Sequence, residues 1–366
     1  MTAKNLPDRA HSKPGLRVLM FPKHGDNPYL RSLVESLEHR GIRVDDFSFT
    51  QALKQRYDVL HIHWPDLHLH ARSSLRALVK HARLALLLVF LRWRNTRIVW
   101  TLHNLAPHER HLPLGELLFP LWFPRLCTHV IALTKNGLAA ALAKYPPLRN
   151  KTTAVIPHGH YRDAYGTAQS RTQCRDRLGL EHRFTFLFFG NIRPYKNVPL
   201  LIEAFRRLPQ PDVQLVIAGR PGRMMQSHEL QNLAAADPRI RLTLEFVPDD
   251  EVPLYVGACD VVVLPFRSVL NSGTAFLALS FNRAVLAPNL GALPEIQNQV
   301  GAHWVNLYDG ELTTEHLLQA MAATRIGEHE TADLGACDWS SIGQATAELY
   351  LTRSAGSCGR IPAPAR

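Results

Sequence analysis

The sequence predicts an α/β protein made of two successive units, each a parallel sheet covered by helices. Three observations carry that reading. Short apolar runs alternate with stretches of helical periodicity from Leu16 to Leu351, the pattern of parallel strands joined by crossover helices. The chain has 366 residues, beyond the size at which one core keeps growing, so two domains are expected. The alternation breaks once, at a polar stretch from His160 to His182 that reads as a linker. Domain limits are placed at 1–165 and 183–337, with a closing helix at 338–353 and a tail at 354–366 expected to be disordered.

In the first unit, Leu16 to Phe21 reads as a buried strand, a loop holds Gly25, Asp26 and Asn27, and Pro28 to His39 has the spacing of an amphipathic helix. This is a Rossmann-like opening without G-x-G-x-x-G, so NAD is not the expected ligand. Further strands are expected near Ile42–Phe47 and at Tyr57–Trp64, the second ending in Pro65 and Asp66. His61 and His63 share one strand face. Two ligands do not close a metal site, however, and no carboxylate spacing accompanies them or His68 and His70. A place for one of these histidines in a cleft at the strand's carboxyl end fits better. Arg97 to His103 is another strand, followed by Asn104 and Glu109, and Leu112 to Phe123 is apolar enough to extend an acceptor surface. His129–Thr134, a helix over Lys135–Lys144 and Thr153–Gly159 complete the unit.

Residues 72–94 stand apart. Arg72, Arg76, Lys80, Arg83, Arg92 and Arg94 bracket an apolar run, Leu84 to Leu91, only eight residues long, too short to span a bilayer. With Leu87, Phe90 and Trp93 as its apolar side, this reads as a helix lying in a membrane interface, where each cation near anionic lipid contributes about 1 kcal/mol. The alternative is a core helix with a solvated basic flank. Charge favours the interface: residues 1–160 hold 23 Lys and Arg against 10 Asp and Glu, and the remainder 19 against 21. A basic half beside a neutral one is expected to face an anionic surface or a polyanion.

Composition excludes other classes. Apolar residues make up 46% and charged residues 20%, as in globular rather than disordered chains. Cys127, Cys174, Cys259, Cys337 and Cys358 have no paired spacing, which argues against zinc or a disulfide framework and suits a reducing cytoplasm. No apolar h-region marks the first residues, so no secretory signal is expected. Nucleic acid is not an expected partner, because basic and aromatic residues are not interleaved on strands and no DNA or RNA motif is present.

The second unit opens with FTFLFFGNIRPYKNVPLLIEAF, Phe184 to Phe205. An apolar strand ends at Gly190, a basic turn follows, and apolar residues recur at Val198, Leu201, Ile202 and Phe205. Pro199 fits the first helical turn. Such a turn aims helix N–H groups, a positive dipole end, Arg193 and Lys196 at one point, where a diphosphate is the expected ligand. The plain alternative is a strand–helix connection with solvated cations. Strands at Val213–Ala218, Ile240–Phe246, Asp260–Leu264, Ala284–Ala287 and Ala302–Leu307 follow, and a helix from Ser340 to Leu351 closes the chain.

FFGNIRPYKNVPLLIEAF, LVIAGRPG, EFVPDDEVPLYVGACDVVVLPF and GALPEI, in this order over most of the chain, resemble the GT-B fold of nucleotide-sugar glycosyltransferases. That fold is two Rossmann-like domains with parallel sheets facing a central cleft. The resemblance implies that Gly190, Lys196 and Arg193 hold the donor diphosphate, that Phe246 and Val247 border the base, and that Glu295 lies near the ribose or sugar. Retaining members commonly carry two glutamates, whose positions fall here near Val269 and Leu277, eight apart and neither acidic. The loop Asn271, Ser272, Gly273 and Thr274 instead offers hydroxyls and a helix N-terminus, a second anion cradle that fits the donor phosphates. With HGDNPY, HIHWPD and WTLHN in the first unit, the chain most resembles the inverting β-mannosyltransferases of xanthan-type exopolysaccharide assembly. That implies GDP-mannose as donor and a polyprenyl-diphosphate-linked oligosaccharide as acceptor. It also implies peripheral, monotopic attachment at the cytoplasmic face of the inner membrane, and no cofactor or metal.

Inversion needs a base from the first unit, since the second holds the leaving group. Asp66 is the first candidate, with His103, Glu109 and Asp26 as competitors at the same sheet edge. Other readings are a retaining transferase using a different sugar nucleotide and a basic, non-catalytic binding protein.

Overall fold

The computed structural model describes residues 15–24, 28–69, 73–105, 113–166, 169–222, 225–324 and 330–352. The first series of elements is β1 (Arg17–Phe21), α1 (Pro28–Glu38), β2 (Arg43–Asp46), α2 (Phe49–Lys54), β3 (Val59–Ile62), α3 (Asp66–Leu69), α4 (Ser74–Trp93), β4 (Arg97–Leu102), α5 (Pro113–Leu126), β5 (His129–Ala132), α6 (Lys135–Lys144) and β6 (Thr152–Val155). The second begins with α7 (Arg171–Leu178), β7 (Phe184–Phe189), α8 (Val198–Arg206), β8 (Val213–Ala218), α9 (Ser227–Ala235), β9 (Ile240–Thr243) and α10 (Val252–Ala258). It continues with β10 (Val261–Val263), α11 (Gly273–Ser280), β11 (Ala284–Pro288), α12 (Leu293–Val300), β12 (Val305–Tyr308), α13 (Thr314–Ala323) and α14 (Trp339–Leu351).

The strands form two six-stranded parallel sheets, ordered β2-β1-β3-β4-β5-β6 and β12-β11-β10-β7-β8-β9. In each, the chain runs outward from one strand and then returns to build on that strand's other side. The reversals fall between β1 and β3 and between β7 and β10. The loops leaving these strands at their carboxyl ends therefore splay apart and open a crevice, the usual ligand position in such sheets. Apolar residues at Tyr29, Leu30, Leu33, Val34 and Leu37 turn one face of α1 inward, and Val198, Leu201, Ile202 and Phe205 do so in α8, as their spacing predicts.

Two departures from the sequence reading concern the links between the sheets. The stretch read as linker contains α7, started by a capping box in which Ser170 and Gln173 each bond the other's backbone N–H. The last helix, α14, leaves the second series and packs on α1, where Tyr350 is fully buried in the first sheet's core. The chain thus passes between the two halves twice. The passages are tied together: His160 Nε2 lies 2.8 Å from Asp338 Oδ1, and Trp339 Nε1–H donates to the His160 carbonyl at 2.8 Å.

Candidate active site

Four histidines gather where β3, β4 and β6 end. His61 is buried within β3, Nδ1 lying 2.6 Å from the Tyr350 hydroxyl and Nε2 2.7 Å from Thr101 Oγ1. His63, just past the same strand, bonds through Nδ1 to His103 Nε2 at 3.0 Å. Trp64 stacks on His103 with ring centres 4.3 Å apart, Tyr29 meets His103 edge-on, and His158 lies against Tyr29. His158 in turn stacks on Phe276 of α11, 5.0 Å away. The row therefore runs from the first sheet across to the second. Burial lowers the pKa of His61 to about 3 and of His158 to about 4, and holds His63 and His103 well below the ordinary imidazole value. All four are neutral at pH 7.

Asp66 is half-buried and starts α3, three residues beyond His63. The other two carboxylates proposed as base, Asp26 and Glu109, lie outside the described residues, as do His70 and Arg72. Among the described residues no group of three or more His, Cys, Asp or Glu is placed to hold a metal ion.

The facing edge belongs to β7 and α11. Gly190, at φ +103°, lets β7 turn, and Gly219 passes so close that a methyl on it would meet the Gly190 carbonyl oxygen at 2.2 Å. A methyl on Gly190 would lie 3.5 Å from Lys196 Nζ and 3.9 Å from Thr274 Oγ1. These three residues therefore border one small space. Lys196 ends a 3-10 turn, Pro194–Lys196, and is buried, its ammonium 5.6 Å from the Phe188 ring centre and 5.5 Å from that of Phe266. Among the described residues no carboxylate pairs with it. Burial, and secondarily the charge of Arg193, bring its pKa down to about 8. An ammonium in this setting gains from any anion brought beside it.

Other expected donor contacts sit differently. Ser272 is the N-cap of α11, and its hydroxyl oxygen accepts the Ala275 N–H at 3.2 Å. Its lone pair thus serves its own helix, leaving the Gly273 and Thr274 amides at the helix end. Val247 turns into the core while Phe246 stays half exposed, so only the phenylalanine side chain offers a surface to a base. Glu295 is partly exposed and reaches toward the first unit. Its carboxylate accepts the backbone N–H of Lys135 at 2.9 Å and of Asn136 at 2.6 Å, across the cleft. Asn271, read from the sequence as the first residue of the anion-cradle loop, turns its side chain elsewhere: its Nδ2 donates to the carbonyls of Leu102 and His103, both at 3.0 Å. No local sequence pattern reports either contact.

The basic helix α4 packs beside α5, with Ala77, His81, Leu84, Leu87, Leu88 and Leu91 inward. Leu87 is only 4% exposed, so it belongs to the core and not to the outward apolar surface expected of it, whereas Phe90 is half-buried and rests partly on the same core. That surface is made by Leu75, Leu78, Val79, Leu86, Val89 and Trp93 of α4 with Leu117 and Leu121 of α5. Arg76, Lys80 and Arg83 are exposed along the same helix, Arg83 lying over the Phe49 ring at 3.9 Å. Among the described residues no helix is long and apolar enough to cross a membrane.

Residues 183–323 match the family model described as glycosyl transferases group 1. Over 347 residues, covering 94% of each chain, the sequence is 37% identical to the GDP-mannose:glycolipid 4-beta-D-mannosyltransferase of Xanthomonas campestris pv. campestris. Among solved structures, the chain resembles sucrose-phosphate synthase from Thermosynechococcus elongatus, with a TM-score of 0.63 at 15% identity, covering 92% of this chain and 94% of that one. It also resembles Anabaena HepE in complex with UDP-glucose, with a TM-score of 0.60 at 18% identity, covering 91% and 94%. At such identities the structural likeness speaks to the fold alone.

Proposed function

Because the chain belongs to the GT-B glycosyltransferases of group 1, we propose that it transfers mannose from GDP-mannose to a glycolipid, with inversion and a β linkage. The Xanthomonas relative's name supports this choice of donor and acceptor, and the observation that carries the chemistry is Lys196. A buried ammonium flanked by Gly190 and Thr274, with no carboxylate paired to it among the described residues, suits the two negative charges of a leaving nucleoside diphosphate. Lys196, Arg193 and the N-terminus of α11 would stabilise those charges as the sugar–oxygen bond breaks. They take the part a divalent cation plays at other diphosphates, so transfer is expected to persist in a chelator.

The acceptor hydroxyl would enter from the first sheet, where Asp66 is the preferred base. An acceptor carried on a polyprenyl diphosphate lies in a membrane. The outward apolar face of α4 and α5, with its exposed cations, suits shallow seating on an anionic surface, expected to be the cytoplasmic face of the inner membrane. The process we propose for it is the assembly of a xanthan-type exopolysaccharide.

The test incubates purified protein with a panel of labelled sugar nucleotides and a lipid-linked oligosaccharide extract, followed by NMR of the product. Label from GDP-mannose in a β-linked glycolipid is the expected result. Preference for another nucleotide sugar removes the donor assignment, and an α linkage removes inversion.

A further inference from the structure

The cleft is bridged by two side chains of the second half that bond only to backbone of the first. Glu295, in the opening turn of α12, accepts the N–H groups of Lys135 and Asn136, the first two residues of α6. Those amides have no partner inside their own helix, and the next one, Gly137, is taken by Thr134 Oγ1 at 3.0 Å. The carboxylate thus lies at the positive end of α6 while sitting in the first turn of α12, where both dipoles favour negative charge. Asn271 holds the end of β4 through the carbonyls of Leu102 and His103. The two bridges share one support. Ala292 N–H donates to the Leu270 carbonyl at 2.9 Å, and a methyl at Gly291 would meet the Val269 carbonyl oxygen at 2.2 Å, so the loops bearing Asn271 and Glu295 are packed as a block.

We propose that Glu295 and Asn271 are positioning residues, a clasp that holds the two halves together and fixes His103 relative to the N-terminus of α11. Asn271 directly precedes Ser272, the cap of that helix, so a bond to the His103 carbonyl sets the distance between the histidine and the anion cradle. Glu295 acts through α6 and not as a ligand of the donor's ribose. The catalytic consequence rests on the glycosyl-transfer reading above, whereas the clasp itself involves no donor.

Hydrogen exchange on the full chain without nucleotide follows the peptide holding Lys135 and Asn136, in the wild type and in Glu295→Gln and Glu295→Ala. Exchange of those amides is expected to quicken about tenfold or more in Glu295→Ala, with Glu295→Gln intermediate because an amide carries one acceptor oxygen and no charge. In the same variants kcat is expected to fall about tenfold, while the dissociation constant for GDP moves less than about threefold. Unchanged exchange in both variants overturns the clasp, and a large loss of GDP affinity with unchanged exchange returns Glu295 to the ligand role. The exchange arm needs no substrate, so it decides the clasp even if GDP-mannose proves not to be the donor. Melting curves confirm that each variant is folded, and Glu295→Gln serves if the alanine variant is not.

Discussion

His63 and His103 share one hydrogen bond, Nδ1 to Nε2 at 3.0 Å, so a single proton lies between two buried rings. The remaining nitrogen of His63, Nε2, is buried and has no partner among the described residues. A stranded N–H costs more than a stranded lone pair, which places the proton on His63 Nδ1 and makes His103 Nε2 the acceptor. His103 then carries its own proton on Nδ1 and presents a donor there. That tautomer suits a hydrogen bond to a substrate oxygen better than removal of a proton, and it strengthens the case for Asp66.

Replacing Asp66 by Asn is therefore expected to lower kcat by about 100-fold or more while the dissociation constant for the donor changes little, since general-base catalysis commonly contributes that much. Pre-steady-state turnover with donor binding measured separately makes the distinction. Near-normal turnover gives the base to another group.

The buried histidines make the fold acid-sensitive. His61, at about 3, and His158, at about 4, stay neutral in the folded protein at pH 5, while in the unfolded chain they protonate below 6.5. Their contribution to stability is complete above pH 6.5 and is lost as pH falls toward the folded values, at about 1.4 kcal/mol per pH unit for each. The melting temperature is expected to drop steeply between pH 6.5 and 5. A flat profile across that window contradicts the neutral cluster.

Lys196 acts with the same sign in a higher pH window. Its folded pKa of about 8 lies below the ordinary 10.5, so the unfolded chain binds more protons between those values and stability rises with pH across them. Lys196→Met is expected to stabilise the donor-free protein at pH 7 by up to about 3 kcal/mol and to cut transfer by about 100-fold or more. Melts at pH 7 and pH 10 alongside turnover check both halves. Full activity in the variant removes the diphosphate assignment.

Adjacent leucines on α4 should behave differently. Leu87→Ala, in the core, is expected to cost about 2–5 kcal/mol without weakening retention on anionic liposomes. Leu86→Asp, 70% exposed in the wild type, should leave the melting temperature nearly unchanged and reduce that retention. Sedimentation with vesicles at low and high salt reads the second effect, and equal retention of both variants removes α4 as the seating surface.

These two leucines also mark where sequence reading stopped. The run from Leu84 to Leu91 is almost wholly apolar, so it fixes a helix but not which side faces the core, and packing against α5 decided that. In the second half the Gly190–Lys196 turn was legible because its strand, turn and helix lie within one window. Glu295 was legible as a polar residue at a helix start, but its partners are 159 and 160 residues away, and no local pattern encodes such a separation. The helix α7 did leave a signal, the S-x-x-Q of Ser170 to Gln173, hidden in a stretch whose polarity resembled a linker.

The doubled passage of the chain between the halves has a mechanical result. Two connections lying side by side, joined by His160, Asp338 and Trp339, behave as a door's pair of pins and leave essentially one axis of swing, where a single thread would allow twisting in every direction. Any opening of the cleft about that axis would carry Lys196 and His103, on opposite lips, apart and back along one arc.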